Sequence, residues 1–167
     1  MKYTGKVWKF GPHIDTDVII PARYLTSNEE KELAEHCMET VDPDFPKKVQ
    51  PGDFMVGGTL FGMGSSREHA PIAIKGCGVR AVIAPSYARI FQRNAINVGM
   101  PVLECDTLWE EVETGDTIEV DMEAGTILHQ RTGKTHQASQ YPDFLMHIIQ
   151  AGGLVNYTRD KLAGSKA

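Results

Sequence analysis

Between residues 53 and 104, short apolar runs alternate with helix-spaced segments so regularly that few folds remain open to the chain. Residues 53–57, the β-branched run 79–84 and residues 101–104 read as strands. A helix is expected over 67–76. A second follows Ser86, its plausible cap, with Ile90 and Phe91 turned to the core and Gly99 and Pro101 stopping it. Strand–helix–strand–helix–strand at this spacing calls for a parallel sheet with right-handed crossovers.

The flanking segments are less regular. Residues 6–10 alternate polar with apolar side chains and read as a strand, followed by a Gly11-Pro12 turn. The run His13-Ile14-Asp15-Thr16-Asp17 then leads into Val18-Ile19-Ile20-Pro21, read as a loop packed onto a strand. From Asn28 the spacing of Leu33, Ala34, Cys37 and Met38 suits an amphipathic helix, capped by Ser27 or Asn28 and ended by Asp42-Pro43. Residues 116–120 and 125–128 suggest a hairpin, and 142–151 a closing helix capped by Gly152-Gly153. The expected class is α/β: a mostly parallel sheet with flanking helices and an antiparallel edge. A single domain over 1–167 fits the usual compact-domain length of roughly 100–200 residues.

Composition closes off several functions. With 41% hydrophobic and 23% charged residues the chain is an ordinary globular one. Its net charge of −5, with Lys and Arg scattered, lacks the clustered basic surface that nucleic acid requires. The N-terminal residues lack the long apolar run of a signal peptide or membrane span. Cys37, Cys77 and Cys105 are odd in number and far apart, so neither a disulfide framework nor a metal knuckle is encoded, and a reducing cytoplasm is the simplest home. An iron–sulfur cluster needs about three closely placed thiolates, so another chain would have to supply one.

The chemistry concentrates in Gly62-Met63-Gly64-Ser65-Ser66-Arg67-Glu68-His69-Ala70, where a strand turns into a helix. Ligands of open parallel sheets bind at that edge. The glycines let backbone approach closely, helix-terminal N–H groups favour negative charge, and Arg67 adds a planar donor fork that matches a carboxylate. An acidic small molecule is the natural ligand. A serine alkoxide would be stabilised by the same amides and Arg67, leaving Ser65 able to accept a proton from carbon.

Two plainer readings compete. Ser65-Ser66-Arg67-Glu68 also fits a capping box, in which Ser65 caps the helix and Glu68 returns the bond. Pro71 weighs against it, because a cap at Ser65 would put proline in the second turn, where its missing N–H costs helix bonds. A helix beginning nearer Arg67 or Glu68 leaves Ser65 free on the turn. His69 has no second histidine four residues away, so a zinc-protease helix is excluded and a structural or supporting role is expected. Dinucleotide binding fails, since Arg67 or Glu68 stands where a third glycine is needed.

Three ordered motifs carry a resemblance over nearly the whole chain: Asp15-Thr16-Asp17-x-Ile-Ile-Pro-Ala, Gly-x-Gly-Ser-Ser-Arg-Glu-His-Ala, and Ala88-Arg89-Ile90-Phe91-x-Arg93-Asn94. Together they resemble the small subunits of the 3-isopropylmalate dehydratase family, relatives of the swivelling domain of aconitase. The resemblance implies a swivelling β/β/α fold and a large-subunit partner bearing a [4Fe–4S] cluster, with no cofactor or metal on this chain. It implies Ser65 as the base that takes the substrate proton, Ser66 and Arg67 as carboxylate holders, and Asp17 as a group that orients the site.

Tyr24-Leu25-Thr26-Ser27 is similar to the family's specificity loop, in which an arginine follows Tyr-Leu where the substrate has an extra carboxylate. Here that position is Thr26. A charged side arm would be buried unpaired there, so a small branched aliphatic arm is favoured. Arg23 beside it is expected to be solvated, as are Arg89 and Arg93. The expected activity is isomerisation of 2-isopropylmalate to 3-isopropylmalate through isopropylmaleate, in leucine biosynthesis. A related hydro-lyase on dimethylmalate, citramalate or homoaconitate stays open, as does a non-catalytic module for acidic metabolites.

Overall fold

The apolar runs of residues 53–104 become the parallel half of one sheet in the computed structural model, which describes residues 2–65 and 67–165. Its strands are β1 (Lys2–Lys9), β2 (Phe54–Val56), β3 (Ala81–Ala84), β4 (Val102–Glu104), β5 (Thr117–Asp121), β6 (Thr126–His129) and β7 (Lys134–Gln137). They lie in the order β4-β3-β2-β1-β5-β6-β7. The first four are mutually parallel, with Val7 opposite Phe54 and Met55 opposite Val82. β5, β6 and β7 continue the sheet antiparallel, with Gly5 of β1 opposite Ile118.

Every residue of β2 and β3 is buried because helices cover both faces, which is why these strands read as unbroken apolar runs. α4 (His69–Gly76) and α5 (Arg89–Asn97) make the crossovers. Met55, Val82 and Val102 share one core with Ala73 and Ile74 of α4 and Phe91 and Ala95 of α5. Phe54, Val56, Ala81, Ile83 and Leu103 point the other way, into a core with Ile118, Val120, Ile127 and Leu108 of α6 (Leu108–Glu111). The antiparallel half alternates buried with part-exposed residues, as a sheet with one wet face should.

Several expectations fail locally. Thr16–Ile19 is a short helix, α1, not a loop: Asp15 caps it by accepting the Asp17 N–H at 2.8 Å. The next helix, α2 (Glu30–Ala34), is capped at Glu29, while Ser27 Oγ accepts the Glu29 N–H at 3.1 Å. It ends at Ala34, well before Asp42, giving way to tighter turns in which His36 donates to Leu33 O at 3.1 Å and Cys37 to Ala34 O at 3.2 Å, and Met38 then turns left-handed at φ 60°. α3 (Phe45–Lys48) follows, with its proline near the start. Ser86 does not cap α5; its hydroxyl accepts the Leu60 N–H at 2.9 Å instead. Phe91 faces the core but Ile90 does not, being 50% exposed. After α7 (Asp143–Gln150), Gly152 and Gly153 lead into a further helix, α8 (Leu154–Ser165).

Candidate active site

The polar motifs gather where the theory of open sheets puts ligands, beyond the carboxyl ends of β1, β2 and β3. The chain leaving β1 and the glycine-rich chain leaving β2 zip together there. Gly58 donates to Gly11 O at 3.1 Å, Gly62 to Ile14 O at 2.7 Å and Thr16 to Met63 O at 2.9 Å. Asp15 and Met63 form a parallel bridge, and Phe61 makes another with Tyr87 beyond β3. Two glycines are required for this approach. At φ +83° a Cβ on Gly62 would lie 2.2 Å from the Phe91 ring, and at φ +94° one on Gly64 would lie 2.5 Å from the Asp15 carboxylate.

α4 begins at His69, with Glu68 as its cap residue making no side-chain cap bond. The capping box is therefore absent, and Pro71 falls in the first turn, where a missing N–H is harmless. Ser65 is exposed on the turn, and its hydroxyl has no hydrogen-bond partner among the described residues. Its position is held from behind, since the buried Thr16 donates its hydroxyl to Ser65 O at 2.9 Å. The helix terminus itself offers less to an anion than its sequence suggests. Ala70 already donates to Arg67 O at 3.3 Å, and Pro71 has no donor. Attraction for a carboxylate falls mainly to Arg67.

Arg67 is oriented by Asp17, whose Oδ1 accepts from Nη1 at 3.0 Å. The arginine is 21% exposed and the aspartate 61%, so the guanidinium is backed by protein and the carboxylate is wet. The same Asp17 oxygen accepts the Ala22 N–H at 3.1 Å, tying the site to the 3-10 turn Ala22–Tyr24. The structure thus brings Ser65, Arg67 and Asp17 together through α1. Thr26 is exposed just past the turn and makes no side-chain hydrogen bond among the described residues. Ser66 lies outside the described residues.

Residues absent from the expected site support it. Tyr24 stacks on His36 at 3.7 Å and donates its hydroxyl to Glu39 at 2.6 Å; Glu39 also accepts from Arg23 at 3.0 Å and lies 2.9 Å from His36 Nδ1. Burial works to raise the Glu39 carboxyl, but Tyr24, His36 and Arg23 together hold it below its ordinary value. Arg23, 67% exposed, is largely solvated as expected, yet it is also paired. Nothing in the spacing of these residues announced the cluster. Asp15 and Thr16 were readable, since Asp and Thr before a short apolar run signal local side-chain-to-backbone bonds.

A cavity of about 620 Å³ lies at the opposite edge, among residues that precede the parallel strands, including Gly52, Val79 and Pro101. It is lined by none of the three polar motifs and lies apart from the candidate site.

The fold and the paired loops are those of one enzyme superfamily: the Aconitase C-terminal domain matches residues 14–107. The 3-isopropylmalate dehydratase small subunit of Thermodesulfovibrio yellowstonii is 55% identical over 98% of this chain and 97% of its own length. The isopropylmalate/citramalate isomerase small subunit of Methanocaldococcus jannaschii is 54% identical over 97% and 96%. A crystal structure of 3-isopropylmalate dehydratase from the same archaeon superposes with a TM-score of 0.92 at 48% identity, covering 99% of each chain. The chain belongs to the family of 3-isopropylmalate dehydratase small subunits, within the aconitase superfamily.

That family implies an iron–sulfur cluster, which the residues of this chain do not fit. Cys37 and Cys77 are buried in one core and Cys105 in the other, across the sheet, so three thiolates do not converge. Burial also pushes the Cys37 thiol well above its ordinary value, away from the thiolate a cluster needs.

Proposed function

We propose that the chain is the small subunit of a cytoplasmic hydro-lyase that isomerises 2-isopropylmalate to 3-isopropylmalate through isopropylmaleate, acting as one swivelling domain against a large subunit. The observation that carries the reading is the exposed Ser65 turn, its hydroxyl without a hydrogen-bond partner among the described residues, beside the Arg67–Asp17 pair. Ser65 Oγ takes the proton from the substrate carbon and returns it on rehydration. Arg67, steadied by Asp17, holds a substrate carboxylate with Ser66. A [4Fe–4S] cluster on the large subunit would supply the Lewis acid for the departing hydroxyl.

Half of the catalytic machinery on each chain accounts for an open, solvent-facing site here. Leu60 and Met63 of the glycine-rich loop and Ile90 at the start of α5 are exposed apolar side chains around that edge. Together they suit docking against a partner that closes over the substrate. Thr26, uncharged, leaves a side arm of the substrate without a cationic partner and favours a small aliphatic one.

The archaeal relative named for both isopropylmalate and citramalate supports a second reading, in which the side arm is shorter. Reconstitution with an anaerobically prepared large subunit separates the two. The first reading expects kcat/KM for isopropylmalate to exceed that for citramalate at least tenfold, and citramalate preference would replace it with the second. Failure of every branched malate to turn over would leave only metabolite binding.

A further inference from the structure

At the antiparallel end of the sheet lies a cluster unconnected with the proposed chemistry. Glu111 at the end of α6, His129 at the end of β6 and His136 on β7 place one ligand-capable atom each within 4.8 Å of one another. β6 and β7 are registered with His129 opposite Lys134 and Ile127 opposite His136. The two histidines are therefore diagonal neighbours on the inward face. Their side chains are 0% and 1% exposed.

Burial makes the unused ring nitrogens informative. His129 Nδ1 and His136 Nε2 are fully buried and make no hydrogen bond among the described residues. Buried polar atoms are normally satisfied, and an imidazole nitrogen without a partner leaves a donor or a lone pair desolvated. His136 Nε2 lies 3.1 Å from Glu111 Oε2, close enough for an ion pair but with no hydrogen bond made along it.

The outer ring atoms are already tied down. His129 Nε2 is 2.8 Å from the Asp116 carboxylate, so it carries the proton and leaves Nδ1 as a lone pair. His136 Nδ1 is 2.6 Å from Thr107 Oγ1. Asp116 is in turn held by Arg131, with Nη2 and Nε at 3.1 Å. A carboxylate or hydroxyl behind each histidine, holding one ring nitrogen and leaving the other without a partner, is how proteins orient imidazoles for a metal.

We propose that Glu111, His129 and His136 form a site for a divalent first-row transition ion, best suited to Zn²⁺. Two neutral imidazoles and a carboxylate are borderline ligands, and three protein ligands leave a fourth position for water. Bonds of about 2.0–2.2 Å bring tetrahedral ligand atoms to roughly 3.3 Å apart, so closure requires small side-chain rotations. Glu111 also accepts from Lys134 through its other oxygen, which leaves Oε2 for the ion. Bound there, the ion would staple the edge hairpin to α6. That helix, through Trp109 Nε1, donates to Phe10 O at 2.7 Å, at the head of the loop that carries Asp15 and Asp17.

The test uses the full chain, free of any histidine tag, stripped with chelator and titrated with Co²⁺ and Zn²⁺. One equivalent of Co²⁺ should give the visible absorption of a four-coordinate site, and Zn²⁺ should displace it. At about a hundredfold excess over Kd, Zn²⁺ should raise Tm by roughly 5–10 °C. His136→Gln and Glu111→Gln should abolish the spectrum, while the exposed His147→Gln should retain it. Absence of a saturable Co²⁺ spectrum and of a Tm shift in the wild-type chain overturns the site, whether or not the variants fold. So does an equal response from the His136→Gln/Glu111→Gln pair combined, which would place the metal on surface groups.

Discussion

The two halves of the sheet treat polar groups in opposite ways. Beyond the parallel strands, polar side chains stay at the surface and partly uncommitted: the Ser65 hydroxyl has no partner among the described residues, and Arg67 is paired through one nitrogen to a wet aspartate. Within the antiparallel half two histidines are buried and tied to partners at its rim, His136 to Thr107 and His129 to Asp116, which Arg131 holds in turn. The difference follows from topology. Parallel strands need crossovers, whose loops end at one edge and leave backbone and side chains free to meet a ligand, whereas a meander turns back at once and offers only its inner face. The candidate chemistry lies in the first half and the buried histidine pair in the second.

The sharpest break of this contrast is Gly62→Ala. The substitution demands φ +83° of an alanine and drives its Cβ into the buried ring of Phe91. Left-handed strain and overpacking together should cost roughly 3 kcal/mol, lowering Tm by about 6–12 °C and taking activity with it. Arg67→Gln should do the reverse. Tm should stay within about 2 °C while KM rises about 10–100-fold, since a charge-assisted bond to substrate is worth roughly 1.5–3 kcal/mol. A matching fall in Tm would mean that Arg67 is structural.

Acidification probes the support beneath Thr26. The folded-state value of Glu39 is lowered, so its contribution to stability is complete above the ordinary value of 4.5 and is lost as pH falls through the lower folded value. The Tm profile below about pH 4.5 should therefore be flatter in Glu39→Gln than in the wild-type chain. Arg23→Ala should change least, leaving the midpoint of chemical denaturation indistinguishable from that of the wild-type chain, because its partner bond is made by a side chain 67% exposed.

How far the sequence could be read follows the same division. β2, β3 and β4 announce themselves because strands covered on both faces can hold only apolar residues. β7 is hidden because its sole buried position is His136, which no alternation of apolar residues marks. α8 is mostly exposed and lacks an apolar stripe, so the two glycines before it look like an ending. α1 and α3, four residues each, are too short for periodicity to show, and their caps and packing form them.

The residues of the candidate site stand out in the sequence, and their wiring does not. Pro71 alone argued that the helix starts after Ser65, and α4 beginning at His69 agrees. The strength of the helix terminus as an anion site was overstated for the same reason, since that proline supplies no N–H. Asp17 was placed at the site by resemblance, but its grip on both Arg67 and Ala22 is visible only in three dimensions. The Glu39 cluster joins residues up to 16 apart through side chains that look like solvated polar positions.

The central claim is that Ser65 is the base, freed from the helix so that it can react. Ser65→Ala, reconstituted with the large subunit and assayed anaerobically on isopropylmalate, tests it most directly. The account predicts a kcat loss of roughly 10²–10⁴-fold with KM within about threefold and Tm unchanged, because the lost hydroxyl bonds to none of the described residues. A kcat within about threefold of the wild-type enzyme would contradict it.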